Sequence, residues 1–293
     1  MQINKLNETS LLNLTRKIKR GKRAKTLEQL IKTIILGIIQ GLTEWLPISS
    51  TGHLKMAEHF LNFFSPEDSL IFEFTLHIGT LIVALLFFRE DIKKLVSALF
   101  HLDFKTEHGK LIPPIVVGTI SAAAIGIALK RFVEQAFQSL TPLALAFILC
   151  GTVLYSTKTS KEKTDQVGYS AAIIIGAAEG LSIIPGISRS GITIAAALLL
   201  GIKREKAFRF SFLLSIPAII GALSLEFSDV SAVAALASLG WIEIVAGVVA
   251  AMVVGYFALK LLWKILTNRK FHLFAIYCWI LGIALIAVSI GAF

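Results

Sequence analysis

The chain has 293 residues, a formal net charge of +10 and a mean hydropathy of +0.76, with 55% hydrophobic and 16% charged residues. This composition excludes an ordinary soluble domain, and the apolar runs are long enough to span a membrane. Aromatic residues are not interleaved with the charges, and most Lys and Arg flank apolar segments. The partner predicted by the charge is therefore the lipid bilayer, and no nucleic acid is expected.

The chain opens with a basic leader at residues 16–25, which has neither the apolar core nor the cleavage site of a signal peptide. An interfacial helix or a tail lying on anionic lipid explains it. Six windows of spanning length follow, near residues 71–88, 113–129, 142–157, 210–226, 241–259 and 273–292. Two cysteines, Cys150 and Cys278, lie in these windows without metal-ligand spacing, which predicts packing residues.

Two related motifs interrupt this pattern. Residues 37–53 and 176–191 align without a gap, with glycines and a serine at matching places. Prolines, glycines, hydroxyl groups and charges break both motifs, as in paired half-helices that enter a membrane and turn back. Residues 72–75 and 208–211 repeat a second, shorter pattern after each motif. The sequence therefore predicts two homologous halves, each a re-entrant helical hairpin followed by three transmembrane helices.

The predicted fold is an all-α polytopic membrane protein in one functional unit. Residues 1–27 form the leader, 28–157 the first membrane repeat and 158–293 the second. An odd number of spans inverts the second half, so the hairpin tips can meet near the midplane. Most Lys and Arg after residue 60 lie in the segments 89–112, 158–168, 201–209 and 260–272. The positive-inside rule makes that side cytoplasmic. The basic leader then lies on the other side, although its positive charge favours the cytoplasm.

Charged side chains in the hairpins are the first candidates for function. Gln40 and Glu44 are four residues apart and share one helix face. A carboxylate, a histidine and an arginine within a bilayer are costly, which makes a set of Glu44, His53 and Arg189 a functional hypothesis. The alternative is that Gln40 and Glu44 only hold helices together. Glu179 occupies the repeat position of Gln40 and is a further candidate for substrate binding.

Small hydroxyl residues follow a proline in each hairpin and lead into a new helix. Two helix N-termini that converge from opposite sides would form an anion site suited to phosphate. Arg189 would complete it, since its planar guanidinium matches phosphate oxygens. Capping alone is the alternative role for the serines. The hydroxyl residues predicted to bind substrate are Ser49, Thr51, Ser188, Ser190 and Thr193.

Ser50 and His53 are the candidate reactive groups, three residues apart on a first helical turn. We favour Ser50 as the nucleophile because its repeat partner is Arg189, with His53 as acid or base. Glu44 could orient or deprotonate the nucleophile, or it could bind a divalent cation, Mg²⁺ or Ca²⁺, together with Gln40. His77 lies four residues after Glu73 within a span, where it either supports the site or makes an ordinary helix contact.

The order QGLTE at residues 40–44, PISSTGH at 47–53 and PGISRSGIT at 185–193 resembles the undecaprenyl-diphosphatase family associated with bacitracin resistance. The resemblance covers about residues 28–293. It implies a membrane phosphatase that hydrolyses undecaprenyl diphosphate to the monophosphate carrier of peptidoglycan synthesis, with divalent-metal dependence and a site reached from the periplasmic side of the bacterial inner membrane. A homodimer is a further expectation. Gln40 departs from the acidic form of the motif, which makes a metal site with two carboxylates doubtful.

The residues by themselves, without the resemblance, predict a midplane site for a diphosphate head group. A polyprenyl-phosphate flippase or a phosphate transporter built on an inverted repeat would share such a site. A transporter does not need a serine and a histidine opposite the arginine, so these residues favour an enzyme. A scaffold or channel would leave the polar cluster unexplained.

Overall fold

The computed structural model describes residues 8–61, 66–137, 139–226 and 240–291. Within these ranges the chain forms eleven α-helices. They are α1 (Glu8–Trp45), α2 (Ser50–Leu61), α3 (Pro66–Phe87), α4 (Arg89–Phe100), α5 (Ile112–Ala136), α6 (Leu140–Ser156), α7 (Tyr169–Leu181), α8 (Arg189–Leu199), α9 (Arg204–Glu226), α10 (Trp241–Thr267) and α11 (Phe274–Ser289).

Five segments of the described chain are long and apolar enough to cross a membrane: Gly109–Ala136, Leu140–Thr159, Arg204–Leu225, Trp241–Thr267 and Phe271–Ser289. A sixth is obtained if α3 and α4, which meet at a bend of 77°, count as one span. Large apolar side chains such as Ile127 and Ile280 point outward, with 70% and 65% of their surface exposed. Such surfaces are stable in lipid rather than in water. The predicted all-α polytopic membrane fold is confirmed.

The segment after the first span differs from the prediction. Residues 89–112 read as a charged loop, yet α4 occupies the first half of that segment. Charged residues at its start alternate with apolar Ile92, Leu95 and Ala98, which recur at helical spacing. The density of charge in the sequence concealed this amphipathic pattern. The basic segments nevertheless gather at one end, where Lys203 N donates to Thr164 O at 2.8 Å.

Both motifs fold as helix, turn and helix. α1 and α2 form the first hairpin, and α7 and α8 form the second. Each hairpin packs along a helix of the other half, α1 on α10 and α7 on α5. These contacts require glycine, because a Cβ atom at Gly37 would lie 2.3 Å from Gly247 O and one at Gly176 would lie 2.2 Å from Gly118 O. Each hairpin thus packs on a helix of the opposite half, which is the arrangement expected of two related halves. Inversion of the halves and the midplane position stay predictions.

Helices α6 and α11 pack against each other, and each contributes a cysteine beside one of the two turns. Cys150 on α6 accepts from Ser188 N at 3.5 Å, and Cys278 on α11 lies 3.7 Å from Pro47 O. Both cysteines are buried and free. They therefore pack against the two turns, as small packing residues do.

Candidate active site

Glu44 lies at the centre of the site, in the last turn of α1. Gln40 is one turn earlier on the same face, and its Nε2 donates to Glu44 Oε2 at 3.0 Å. Gln40 is fully buried, and the Glu44 side chain is only 1% exposed. A carboxylate that lacks water in this way needs donors from the protein. The groups that surround Glu44 therefore determine which chemistry the site can perform.

Ser50 is the first residue of α2 and turns its hydroxyl back towards α1. Its Oγ donates to Glu44 Oε2 at 2.6 Å. Ser50 is half-buried, so its hydroxyl is less enclosed than the carboxylate it contacts. A serine at this distance from a carboxylate can transfer its proton as it attacks an electrophile. The pair thus has the geometry of a nucleophile with its base.

Arg189 is the first residue of α8 and reaches Glu44 from the second hairpin. Its Nη2 donates to Glu44 Oε1 in an ion pair within the protein interior. The N-termini of α2 and α8 therefore meet at a single carboxylate. Helix N-termini carry free N–H groups and a positive dipole end, which favour an anion. A phosphate group placed here would be able to replace the carboxylate as the partner of the guanidinium.

Three predicted serines join the two turns. Ser49 Oγ accepts from the backbone N–H of Gly186 at 3.1 Å, which links the first turn to the second. In the reverse direction, Ser190 Oγ donates to Trp45 O at 2.9 Å. Ser188 Oγ lies 3.4 Å from the next carbonyl oxygen of the first turn, and it also caps α8. These hydroxyls hold the first residues of α2 and α8, Ser50 and Arg189, in fixed positions relative to each other.

The other predicted substrate contacts have different surroundings. Thr193 is fully buried, and its Oγ1 donates to Arg189 O at 2.8 Å, so it supports the first turn of α8. Thr51 is half-buried, next to Ser50 on α2. Glu179 is buried, and neither carboxylate oxygen has a hydrogen-bond partner among the residues that the structure describes. Thr193 therefore bonds to the backbone of Arg189, Thr51 adjoins Ser50 in the chain, and Glu179 has no bond to Glu44 among the described residues.

His53 is on the first turn of α2, but its ring is directed towards α11. Its Nδ1 lies 2.7 Å from Ser49 O, and its Nε2 lies 2.7 Å from the hydroxyl of Tyr277. Since a carbonyl oxygen can only accept, Nδ1 is the donor, and Nε2 can then accept from the tyrosine. The ring also stacks on Tyr277 and meets Phe147 edge-on. Both nitrogens are therefore satisfied away from Ser50.

The chain matches the family described as bacitracin resistance protein BacA over residues 33–284, which include both hairpins. This range covers most of its length. The chain belongs to the BacA family. It is 40% identical over 262 residues to an undecaprenyl-diphosphatase of Carboxydothermus hydrogenoformans, covering 88% of this chain and 97% of that protein. An undecaprenyl-diphosphatase of Halothermothrix orenii is 41% identical over 264 residues, or 89% and 98% of the two chains. Undecaprenyl-diphosphatase 4 of Bacillus thuringiensis is 39% identical over 262 residues, or 88% and 97%.

One residue of this BacA family chain enters the site without a firm prediction. His77 on α3 places Nε2 at 3.4 Å from Glu44 Oε2, and its side chain is 16% exposed. Its Nδ1 lies 2.9 Å from Glu73 O on the same helix. The sequence contained a signal for this role, because a histidine four residues after a glutamate inside a span needs polar partners. It could not show that the partner is Glu44.

Proposed function

We propose that this protein is a membrane phosphatase that hydrolyses undecaprenyl diphosphate to undecaprenyl phosphate and inorganic phosphate. The observation that carries the proposal is the convergence of Ser50 and Arg189 on Glu44 from two hairpins. A carrier for phosphate would need the cation, but a hydroxyl bonded to a buried carboxylate is typical of covalent catalysis. The names of the relatives support the same substrate. The product would return to peptidoglycan synthesis as the lipid carrier, which accounts for bacitracin resistance.

Ser50 is the proposed nucleophile and Glu44 its base. Oγ attacks the terminal phosphorus as the carboxylate takes its proton, and the bond from that phosphorus to the bridging oxygen breaks. Undecaprenyl phosphate leaves with the proton that Glu44 passes on to it, and phosphate stays on Ser50. Water then attacks the phosphoserine as Glu44 removes a proton from that water, the bond from phosphorus to Oγ breaks, Oγ takes that proton from Glu44, and inorganic phosphate is released. The 2.6 Å contact between the hydroxyl and the carboxylate is within the range required for the first step.

Arg189 is the proposed anion clamp. It is paired with Glu44 in this structure, so a bound diphosphate would draw the guanidinium away from the carboxylate. That exchange conserves the pairing of a buried cation, which would be costly if it were left alone. It also takes a positive charge away from Glu44, whose Oε2 faces Ser50 and accepts its proton. Charge that develops on the transferred phosphoryl group is then stabilised by the guanidinium and by the ends of α2 and α8.

His53 is proposed as an acid or base that acts after a rearrangement. Its Nε2 is bonded to Tyr277 and would have to leave that hydroxyl to reach a substrate. The direct contact between Ser50 and Glu44 makes the carboxylate the first base. His53 is then available for a later proton transfer, for example to the leaving phosphate, and until then it fixes the shape of the first turn through Ser49.

A divalent cation, Mg²⁺ or Ca²⁺, fits the site only with help from the substrate. Gln40 Oε1 is a buried acceptor with no hydrogen-bond partner among the described residues, and Glu44 is the adjacent carboxylate. No cluster of three or more His, Cys, Asp or Glu occurs in the described parts of the chain. Mg²⁺ is commonly held by one or two protein oxygens, water and substrate phosphates. Bound in this way, the ion would offset the charge of the diphosphate.

The proposed location is the bacterial inner membrane, with the site open to the periplasmic side. The positive-inside rule supports this orientation, since the basic segments gather at one end of the molecule. The finer proposal of a homodimer would be tested by the mass of the detergent-solubilised protein. Substrate would enter laterally from the lipid.

The test is phosphate release from undecaprenyl diphosphate by purified protein in detergent, without any gradient. Wild-type protein is expected to release phosphate, and Ser50→Ala and Glu44→Gln are expected not to. Ser224→Ala is a matched control, since that exposed hydroxyl bonds only to its own helix. Absence of hydrolysis together with movement of the labelled lipid across proteoliposomes would replace the phosphatase by the flippase alternative.

A further inference from the structure

His77 is the remaining polar group at Glu44, and it comes from outside both hairpins. It lies on α3, whereas the other partners of the carboxylate lie on α1, α2 and α8. Its ring is oriented by its own helix, because Glu73 O can only accept and therefore binds Nδ1–H. This leaves Nε2 pointing at Glu44 Oε2, where it binds the carboxylate as Nε2–H, with an N–H group on both ring nitrogens, because a carboxylate oxygen only accepts.

This contact becomes important when the Arg189 guanidinium leaves the Glu44 carboxylate and binds the substrate phosphate. Once the guanidinium has turned to the substrate, Glu44 retains only the amide of Gln40, the hydroxyl of Ser50 and the imidazole of His77. The hydroxyl is consumed in the attack. Of the remaining two, only the imidazole approaches from a helix that does not carry the nucleophile or the carboxylate. Its position is set by α3, which packs mainly on α10.

We infer that His77 is a positioning residue that holds the Glu44 carboxylate against Ser50 while Arg189 binds the substrate phosphate. The inference rests on the proposed function. The present distance of 3.4 Å is longer than a strong hydrogen bond. Contacts of this kind tighten when the substrate completes the site. His77 touches the base and not the substrate, so its loss acts on the chemical step.

Three substitutions separate this role from helix packing. His77→Leu fills the space but has no donor. His77→Asn places an amide near the position of Nδ1 and reaches Glu73 O, whereas His77→Gln places one near Nε2 and reaches Glu44. We expect Leu and Asn to lower kcat about tenfold or more with KM nearly unchanged, because small displacements of a catalytic group have large effects. Gln is expected to restore at least half of kcat.

Thr80→Val is the matched control on the same helix. Thr80 is fully buried, and its hydroxyl bonds to α3 carbonyl oxygens, at 3.1 Å from His77 O. Its removal perturbs α3 without removing a partner of Glu44, so kcat is expected to stay within about twofold of wild type. Thermal unfolding in detergent would show whether each variant is folded.

A second measurement separates this inference from the proposed function. A fluorophosphonate that labels Ser50 reports how well Glu44 activates the hydroxyl, whether or not the diphosphate is hydrolysed. Slower labelling in the Leu and Asn variants, restored by Gln, supports the inference even if phosphate release fails in wild type. Labelling and kcat that are equal in wild type and folded His77→Leu, or equal losses in Gln and Leu, would overturn it.

Discussion

The first and second hairpins align residue for residue, yet they carry different chemistry at matching positions. Ser50 begins α2 and Arg189 begins α8, and both contact Glu44. The position that matches Glu44 in the second hairpin is Ile183. Two copies of the same charged residue at one buried place would repel each other. Divergence of the hairpins is therefore what allows them to build a single site with a base, a nucleophile and an anion clamp.

The two turns also differ in backbone strain. Ser49 has a φ of 69° in the first turn, while the second turn places its positive φ of 93° at Gly186. A left-handed conformation costs a residue with a Cβ atom about 1–2 kcal/mol, and glycine avoids that cost. Ser49 offsets it, because its hydroxyl binds Gly186 N and its carbonyl binds His53. The strained turn is the one that presents the nucleophile, whereas the relaxed turn presents the clamp.

Removal of the Ser50 nucleophile is expected to cause the largest loss of turnover of any change in the first hairpin. Ser50→Ala should lower turnover on the order of a thousandfold or more, as losses of covalent nucleophiles do. Mass spectrometry of protein trapped during turnover should find phosphate on Ser50. Acid-labile phosphate on His53, or an Ala variant that retains most of its turnover, would reverse the roles of these two residues.

Removal of one charge from either hairpin should have the next largest effect. Glu44→Gln and Arg189→Ala are each expected to cost about a hundredfold or more in turnover, because each deletes a charge needed at the phosphate. Since the two residues form one pair, the double variant should lose less than the product of the single losses. Turnover close to wild type in either purified single variant would refute the site.

A conservative change at Arg189 tests whether a positive charge alone is sufficient for the contribution of the second hairpin to turnover. Arg189→Lys keeps the charge but lacks the two-pronged donor geometry of guanidinium. We expect less than about a third of wild-type turnover, measured at saturating substrate. Higher activity would mean that a positive charge at position 189 is sufficient, so that the two hairpins differ only in the charge that they carry at this position.

The histidine of the first hairpin should have a smaller effect. His53→Asn retains a donor for Ser49 O but loses the contact with Tyr277, and turnover is expected to fall about tenfold while substrate still binds. Tyr277→Phe should reproduce part of this loss if the tyrosine sets the ring position. A fall of about a hundredfold or more would make His53, in place of Glu44, the principal base of the reaction.

The smallest effect is expected where the hairpins are made more alike. Glu179→Gln gives the second hairpin the residue that the first has at position 40. The carboxyl group has no bond to Glu44 in the described structure, so turnover should stay within about twofold and thermal stability should not fall. A loss of tenfold or more would make Glu179 the substrate contact that the sequence predicts.

Much of this site could be predicted because it lies within two short motifs. Gln40 and Glu44 are four residues apart on a helix, so their contact follows from local geometry. The break at Pro47 and the start of a helix at Ser50 are also local. The motifs also predict a role for the serines that join the turns, but they do not predict the partners, since Ser49 reaches Gly186 through a contact far along the chain.

Hydropathy, proline breaks and repeated motifs are encoded in neighbouring residues, so the helical class, the membrane location and the two related hairpins follow from the amino-acid chain alone. The pairing of Arg189 with Glu44, the turn of His53 to Tyr277 and the approach of His77 to the site are seen only in the folded protein. Each of these contacts depends on how separate helices cross, and crossing is set by packing, such as that of α1 on α10.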